Sequence, residues 1–396
     1  MQLSFLLKKD VLDIIKNGES SKVEFKEEKF HPESLAGEIV SFANFEGGYV
    51  LIGVDDNGNI TGCQRRDIEE FIINICRQNI RPPITPIIER IIVHDKTILL
   101  LTIPKGETAY ATNKGLYYIR AGSTKQIPDQ YELLRLFQKK NIIQLDETPV
   151  LKASIDSLNI SRVDKYLQRL ELSPIDEANL KQELINLSIL CHYDEQHYPT
   201  LAGFLTFARQ PQQYFPSYGI RCGAYHGTDL TSEIIRETDL IGTFDELIED
   251  AVSFCKLTIP QKKELENDIQ YKVNYLYPIL ALREAIVNAV CHRDYTIVGS
   301  SIRIFVFSDR IEIRSPGGLA NTLSIENMFY RQYLRNQMIA SFLSGFSYME
   351  RRGKGLMKMK KLCSNCNIDC HFYVPNDNNE FVVIMRSDKM VERCEI

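Results

Sequence analysis

The sequence lacks long apolar runs and a basic leader, and each absence excludes a class of protein. No apolar stretch approaches the roughly 20 residues that a membrane-spanning helix needs. The first residues have no basic n-region of the kind that begins a secretory signal peptide. Their apolar residues are instead spaced as in an amphipathic helix: Leu3, Leu6, Leu7, Val11, Ile14 and Ile15. We therefore expect a cytoplasmic protein with no membrane partner.

The chain also lacks a strong excess of positive charge. Its net charge is −5 at pH 7, which argues against indiscriminate coating of nucleic acid but allows a local basic face. With 396 residues, 44% of them hydrophobic and 25% charged, it has the composition of a globular protein and the length for two or three domains.

Most of the ten cysteines lie singly in apolar runs, which favours buried free thiols in a reducing cytoplasm. The exception is the cluster of Cys363, Cys366, Cys370 and His371. These residue types suit zinc, but all four lie within nine residues and no distant second pair completes the site. We expect reduced thiols, with zinc as the alternative.

Residues 19–26 combine a strand pattern with the residue types of phosphodiester chemistry. Val23 and Phe25 alternate with Glu24 and Lys26, which is typical of a half-buried strand with both charged residues on one face. Acids there, with Glu19 upstream, can hold a divalent cation while the lysine stabilises phosphate charge. The alternative is a surface ion pair on an edge strand.

The next segment predicts a helix followed by a buried strand. Pro32 can begin the helix, and Gly47-Gly48 end it before the strand of residues 49–54. Asp55 and Asp56 follow the strand at a hairpin turn, where a carboxylate can be presented at the tip. The alternative is that both acids serve only the turn.

These two segments together resemble the Schlafen AlbA-type domain. The resemblance lies in the run ESSKVEFKEE, followed by IVSFANFEGGYVLIGVDDNGNITGC, and it continues through Tyr117–Ser123. The family includes RNA-cleaving members as well as relatives that only bind nucleic acid. The resemblance implies a catalytic set, in which the acids would bind Mn²⁺ or Mg²⁺: Glu19, Glu24, Lys26 and Asp56.

The segment from Arg120 to Lys125 follows one predicted strand and precedes a helix. Its amides, hydroxyls and cations can hold a phosphate, although a plain connector would have a similar composition. With the family resemblance we expect nucleic-acid contacts from four residues: Lys22, Arg120, Ser123 and Lys125.

The C-terminal part contains a helix with one polar stripe. Glu284, Asn288 and His292 recur every fourth residue between Leu282 and Tyr295, so they share one face, and such a stripe needs polar partners or a cleft. Strands follow it at residues 301–307 and 310–314.

This order resembles the divergent GHKL ATPase-like domain. The resemblance implies that Glu284 activates water, that Asn288 holds Mg²⁺ and that two glycine loops approach the phosphates of ATP. The loop glycines are Gly317, Gly318, Gly353 and Gly355. The loop that contains Gly317 and Gly318 has the sequence Ser-Pro-Gly-Gly. It lacks the aspartate that recognises adenine in GHKL proteins, so a non-hydrolysing domain is an alternative.

The expected fold class is α/β (α+β) in three regions. Residues 1–145 form an AlbA-like mixed sheet with helices, residues 146–275 a mixed connector, and residues 276–396 a GHKL-like α/β sandwich.

Three functions are consistent with these features. The first is a metal-dependent endoribonuclease that acts on structured RNA such as tRNA, as a homodimer that provides a two-sided groove. The alternative is an ATP-binding, non-catalytic, DNA-binding transcriptional regulator, although no helix-turn-helix pattern follows residue 360. A nucleotide-triggered antiviral defence effector would combine the two.

Overall fold

A computed structural model describes residues 8–140, 142–266, 270–319, 323–349, 353–375 and 379–387. The chain divides into two compact units, Met1–Ile143 and Gln144–Ile396. The first unit therefore ends close to the expected boundary at residue 145. Both units mix helices and strands, as the sequence predicted. Within the described ranges, no helix is long and apolar enough to cross a membrane.

The first unit is built around a sheet with strand order β1-β2-β5-β4, in which β1 and β2 are parallel and the other neighbours antiparallel. Its helices are α1 (Lys8–Asn17), α2 (Pro32–Asn44), α3 (Ile68–Gln78) and α4 (Gln130–Lys139). Its strands are β1 (Val23–Lys26), β2 (Gly48–Ile52), β3 (Ile80–Arg81), β4 (Ile87–Val93), β5 (Lys96–Ile103), β6 (Ala111–Thr112), β7 (Ile119–Ala121) and β8 (Thr124–Gln126). β3 pairs with β6, and β7 with β8.

Helix α2 begins where the sequence predicted. Pro32 occupies its first turn, where a missing N–H is not needed, and His31 Nδ1 accepts from Glu33 N at 3.3 Å. Every residue of α2 from Leu35 to Asn44 is buried. The helix therefore brings polar as well as apolar side chains into the interior, and Glu38 is one of them.

The second unit contains a sheet with strand order β12-β11-β15-β16-β18-β17. Its helices are α5 (Ile160–Arg169), α6 (Leu180–Asn186), α7 (Leu201–Phe207), α8 (Phe244–Thr258), α9 (Ile279–His292), α10 (Gln337–Gly345) and α11 (Gly355–Asn365). Its strands are β9 (Leu190–Tyr193), β10 (Gln196–Pro199), β11 (Ile220–Tyr225), β12 (Ile234–Leu240), β13 (Gln261–Glu266), β14 (Gln270–Tyr275), β15 (Ile302–Val306), β16 (Arg310–Pro316), β17 (Ile368–Tyr373) and β18 (Glu380–Ser387).

The structure does not separate the expected connector of residues 146–275 from the C-terminal region. Strand β11, which lies in that connector, pairs in parallel with β15, and Ile220 lies opposite Ile302. One hydrophobic core runs from Val150 to Met385. The three-region division was wrong here because pairing between distant strands leaves no local pattern in the sequence.

The Gly47-Gly48 pair has a steric role beyond ending the helix. Gly47 has φ +77°, and a Cβ on Gly48 would strike the Phe42 ring and lie 2.8 Å from the backbone oxygen of Lys22. The glycine therefore lets α2 approach the start of β2.

We expect Gly48→Ala to destabilise the chain by about 1–3 kcal/mol, because the backbone and a buried ring must both shift. Gly37→Ala is the matched control. Its Cβ would meet only side-chain atoms at 3.4 Å, and alanine is the better helix former. Urea denaturation of the two variants measures the difference, and equal midpoints would contradict the steric role.

Candidate nucleic-acid and nucleotide sites

Strand β1 places Glu24 and Lys26 side by side, as the sequence predicted. The Lys26 ammonium donates to Glu24 Oε1 and also to the backbone oxygen of Phe25 at 3.1 Å. Glu24 is nevertheless buried, with 7% of its surface exposed. The alternative of a surface ion pair therefore does not describe Glu24, whose carboxylate is covered.

The buried partner of Glu24 is Arg120 on β7. Its Nη1 donates to Glu24 Oε2 and to Glu38 Oε2, both at 3.1 Å. Its Nη2 donates to the backbone oxygens of Ser20 at 2.8 Å and Ser123 at 2.6 Å. One guanidinium thus joins the residues before β1, helix α2 and the β7–β8 turn.

The prediction that Arg120 contacts nucleic acid was therefore wrong. Its side chain has no exposed surface, and the guanidinium lies over the Phe42 ring with 4.4 Å between Cζ and the ring centre. Sequence reasoning took an arginine in a strand-to-helix segment for a surface residue. Nothing local indicated the two buried carboxylates that hold it inside.

Lys125 extends the same cluster to the surface. Its ammonium donates to Glu38 Oε1 at 2.6 Å and to Ser34 O at 3.3 Å, and a quarter of the side chain is exposed. Burial raises the pKa of Glu38, and the hydrogen bond from Lys125 opposes that rise. We call Glu24, Glu38, Lys26, Arg120 and Lys125 the ion cluster: three cations and two carboxylates.

The two lysines are the members of the ion cluster that reach the surface, and both are half-buried. The side chain of Lys26 is 19% exposed and that of Lys125 25%. Lys22, two residues before Glu24, and Ser123, whose backbone oxygen accepts from Arg120, are both exposed. Three of the four predicted nucleic-acid contacts therefore remain accessible to a phosphate.

Glu19 and Asp56 occupy different positions near β1. Glu19 Oε1 accepts from Phe25 N at 2.9 Å, so its carboxylate is fixed beside the strand that carries Glu24. Asp56 is exposed in the turn after β2. β1 and β2 are parallel, with Lys26 opposite Ile52, so their carboxyl ends meet at one edge of the sheet.

Asp55 serves the turn, as one alternative held. Its Oδ1 accepts from Asn57 N at 3.0 Å and from Asn59 N at 2.8 Å, and the contacts with Asn59 lower the pKa of Asp55. This leaves Asp56 as the acid of the turn that has no such structural role among the described contacts.

The predicted metal ligands do not form a ready-made metal site. Across the described part of the chain, no group of three or more His, Cys, Asp or Glu has a metal-binding arrangement. Both oxygens of Glu24 already accept from Lys26 or Arg120, so its donor set as placed does not fit a divalent cation. Metal binding by Glu19, Glu24 and Asp56 stays a prediction.

The cysteine cluster, too, forms no metal-binding group among the described residues. Cys370 and His371 are neighbours on β17, so their side chains point to opposite faces of the sheet. Cys363, Cys366 and Cys370 are free, and Cys363 is buried. A zinc ion shared by all four residues would need Cys370 and His371 on the same face of β17, and zinc binding here stays an open alternative.

In the second unit, the polar stripe of α9 lines a cavity. All six residues predicted to bind nucleotide contribute to its wall: Glu284, Asn288, Gly317, Gly318, Gly353 and Gly355. Much of the remaining wall is apolar: Ala285, Ala289, Ile313, Leu319, Leu323, Met328, Leu334, Met349, Leu356, Met359, Phe381 and Val383. Convergent polar groups in an apolar cavity are typical of a small-molecule site.

Arg335 shapes one side of this cavity. It donates to the backbone oxygens of His292 at 2.8 Å and Gly318 at 2.6 Å, so it ties the end of α9 to the glycine loop. Gly317 has φ +97°, and a Cβ there would clash with Asp294 and lie 2.6 Å from Arg335 Nη1. The loop therefore requires glycine for close packing. The role of Arg335 depends on contacts with distant residues and is not indicated by any local pattern.

Glu284 lies against the start of α11. A Cβ on Gly355 would clash with Glu284 Oε1, so the carboxylate can lie here only because Gly355 has no side chain. An anion is favoured at a helix N-terminus by the peptide dipoles.

Burial and the nearby Arg335 lower the pKa of His292 to about 4, so this imidazole is neutral near pH 7.

Comparison with known families identifies the two domains. Residues 19–129 match the family model "Schlafen, AlbA_2", and residues 299–385 match "Putative ATP-dependent DNA helicase recG C-terminal". The chain therefore combines a Schlafen AlbA_2-type domain, a class associated with nucleic-acid binding, with an ATPase-like C-terminal domain. The resemblance inferred from the motifs is confirmed for both.

Two solved structures are similar in part. The DIP2311 protein of Corynebacterium diphtheriae has 17% identity and a TM-score of 0.48, with 92% of this chain and 75% of that chain covered. The N-terminal domain of a RecG-related protein from Nitrosomonas europaea has 24% identity and a TM-score of 0.26, with 32% and 97% covered. No curated protein matches the sequence.

We expect Arg120→Met to destabilise the chain by about 3–5 kcal/mol, because it leaves two buried carboxylates without their shared cation. Lys22→Met, an exposed change in the same unit, should alter the free energy of unfolding by less than about 0.5 kcal/mol. Chemical denaturation measures both. Wild-type stability in Arg120→Met would contradict the structural role assigned to this arginine.

Proposed function

We propose that this chain is a nucleotide-regulated RNA-binding protein. The first unit would bind structured RNA through its phosphate backbone, and the second would bind ATP with Mg²⁺. The observation that carries the RNA part is the ion cluster, whose buried Arg120 fixes two carboxylates while Lys26 and Lys125 remain at the surface.

The charge of the ion cluster supports phosphate binding. Its three cations exceed its two carboxylates by one charge, and Lys26 and Lys125 are the members that reach the surface. A local surplus of this kind suits backbone recognition even when the whole chain is acidic. Structured RNA is read largely by shape and by phosphate and 2′-hydroxyl contacts, which need no base-specific side chains.

Metal-dependent RNA cleavage is the second candidate. Its support is the hydrogen bond from Phe25 N that holds Glu19 beside the strand of Glu24, together with the position of Asp56 after the neighbouring parallel strand. When bound, a divalent cation would supply Lewis-acid chemistry. Cleavage would require Glu24 to exchange its contacts with Lys26 and Arg120. If ATP controlled that exchange, the protein would act as a nucleotide-triggered effector.

Binding and cleavage can be separated with the full-length protein, tRNA, and single- and double-stranded DNA, each in Mn²⁺ or EDTA. We expect Lys125→Gln to weaken tRNA binding and to reduce the slope of log K against log salt by about 0.9, the loss of one phosphate contact. Lys16→Gln, an exposed change on α1, is the matched control. An unchanged slope in Lys125→Gln would contradict the proposed RNA surface, and tighter retention of duplex DNA than of tRNA would favour the DNA regulator.

Cleavage is tested with Asp56→Asn, because Asp56 is exposed and its replacement leaves the ion cluster intact. The nuclease candidate predicts Mn²⁺-dependent cutting of tRNA that this variant loses while RNA binding persists. Asp13→Asn, an exposed change on α1, should cut as the wild type does. RNA that stays intact with wild-type protein and Mn²⁺ excludes cleavage under those conditions and leaves the binding function.

We expect Asn288→Ala to weaken binding of Mg²⁺–ATP at least tenfold, about 1.4 kcal/mol, because the amide lines the cavity beside Glu284. Asn365→Ala, exposed at the end of α11, is the control. Titration of His292 should not change the calorimetric affinity for Mg²⁺–ATP between pH 5.5 and 8, since its pKa of about 4 lies below that range. A wild-type protein that binds neither ATP nor GTP would exclude the nucleotide role.

A further inference from the structure

A second cavity of the C-terminal unit lies where β11 and β15 begin. Its lining contains two arginines, three serines, a glycine and a proline, and no acidic residue: Pro216, Ser217, Arg221, Gly299, Ser300, Ser301 and Arg303. It shares no lining residue with the cavity of α9. Its composition is that of an anion site rather than an apolar pocket.

The sheet register places like charges next to one another here. Arg221 lies opposite Arg303 on the parallel pair β11–β15, and Arg303 lies opposite Arg314 on β16. Like charges directly opposite in a sheet are destabilising. Burial lowers the pKa of Arg303, and Arg314 and Arg221 lower it further. An anion bound between these side chains would relieve that repulsion.

Each of these arginines has a carboxylate neighbour, and the weakest of the pairs is that of Arg221. Glu380 pairs with Arg303 and also approaches Arg314 at 3.8 Å, while Glu312 pairs with Arg314 at 2.7 Å. Asp239 lies 3.4 Å from Arg221, but both side chains are 67% exposed, so the pair contributes little. The Nε of Arg303 is buried without a hydrogen-bond partner among the described residues.

The loop that forms the other wall is held rigidly. Arg293 is buried and donates to the backbone oxygens of Ile297 at 2.8 Å and Ser300 at 2.7 Å. Ser217 Oγ donates to Val298 O at 2.5 Å. A Cβ on Gly299 would meet nothing within 4 Å, so the backbone there is accessible to a ligand.

We propose that this cavity binds a phosphate group, with Arg221 and Arg303 as the guanidinium donors and the Ser300 and Ser301 hydroxyls as further donors. Planar guanidinium groups suit paired contacts to phosphate oxygens. The phosphate belongs either to a small phosphorylated molecule or to the backbone of a nucleic acid. The site is separate from the proposed ATP cavity.

The test uses the full-length protein, with inorganic phosphate and a short single-stranded RNA as two probes in calorimetric titrations. We expect Arg221→Gln, an exposed substitution, to reduce phosphate affinity at least tenfold. Arg236→Gln on the adjacent strand β12 is the matched control and should bind as the wild type does. Asn288→Ala should also retain phosphate binding, which separates this site from the ATP cavity.

The two probes distinguish the sources of the phosphate. RNA binding that weakens in Arg221→Gln but not in Arg236→Gln assigns the site to a nucleic-acid backbone, whereas an effect on inorganic phosphate alone assigns it to a small phosphorylated molecule. Failure of the wild type to bind either probe, or equal binding of both probes by Arg221→Gln and wild type, would overturn the proposal.

Discussion

The first unit depends on one buried guanidinium. Arg120 satisfies Glu24 from β1 and Glu38 from α2 while it also holds two backbone oxygens, so a single side chain joins three parts of the fold. Two carboxylates could not be buried there without it. The same constraint decides which charges reach the surface, because the acids point inward and the lysines that pair with them extend outward.

This arrangement explains why the acid-and-lysine pattern of β1 is consistent both with RNA binding and with RNA cleavage. Glu24 is an ion-pair partner in the structure, and it can be a metal ligand only after those partners move. In the second unit, the Glu284 carboxylate lies at the start of α11, a position that also suits a phosphate. In both units, a glutamate expected to act on a ligand already has a structural contact.

Sequence patterns predicted the local elements and missed the long-range contacts. Helix α2, strand β2 and the polar stripe of α9 follow from periodicity and from proline and glycine positions. Likewise, all six residues assigned to nucleotide binding line one cavity, because helix spacing and glycine loops are local features. The burial of Arg120 and the pairing of β11 with β15 depend on residues far away in the chain, and no local pattern encodes them.

The parallel pairing of β11 with β15 also has a practical consequence for dividing the protein. A fragment begun near residue 276, where the sequence suggested a boundary, would leave β15 with a free edge of backbone donors and acceptors. Such an edge recruits strands from other molecules. Recombinant pieces intended to isolate the ATPase-like part should therefore start near Gln144, where the compact unit itself begins.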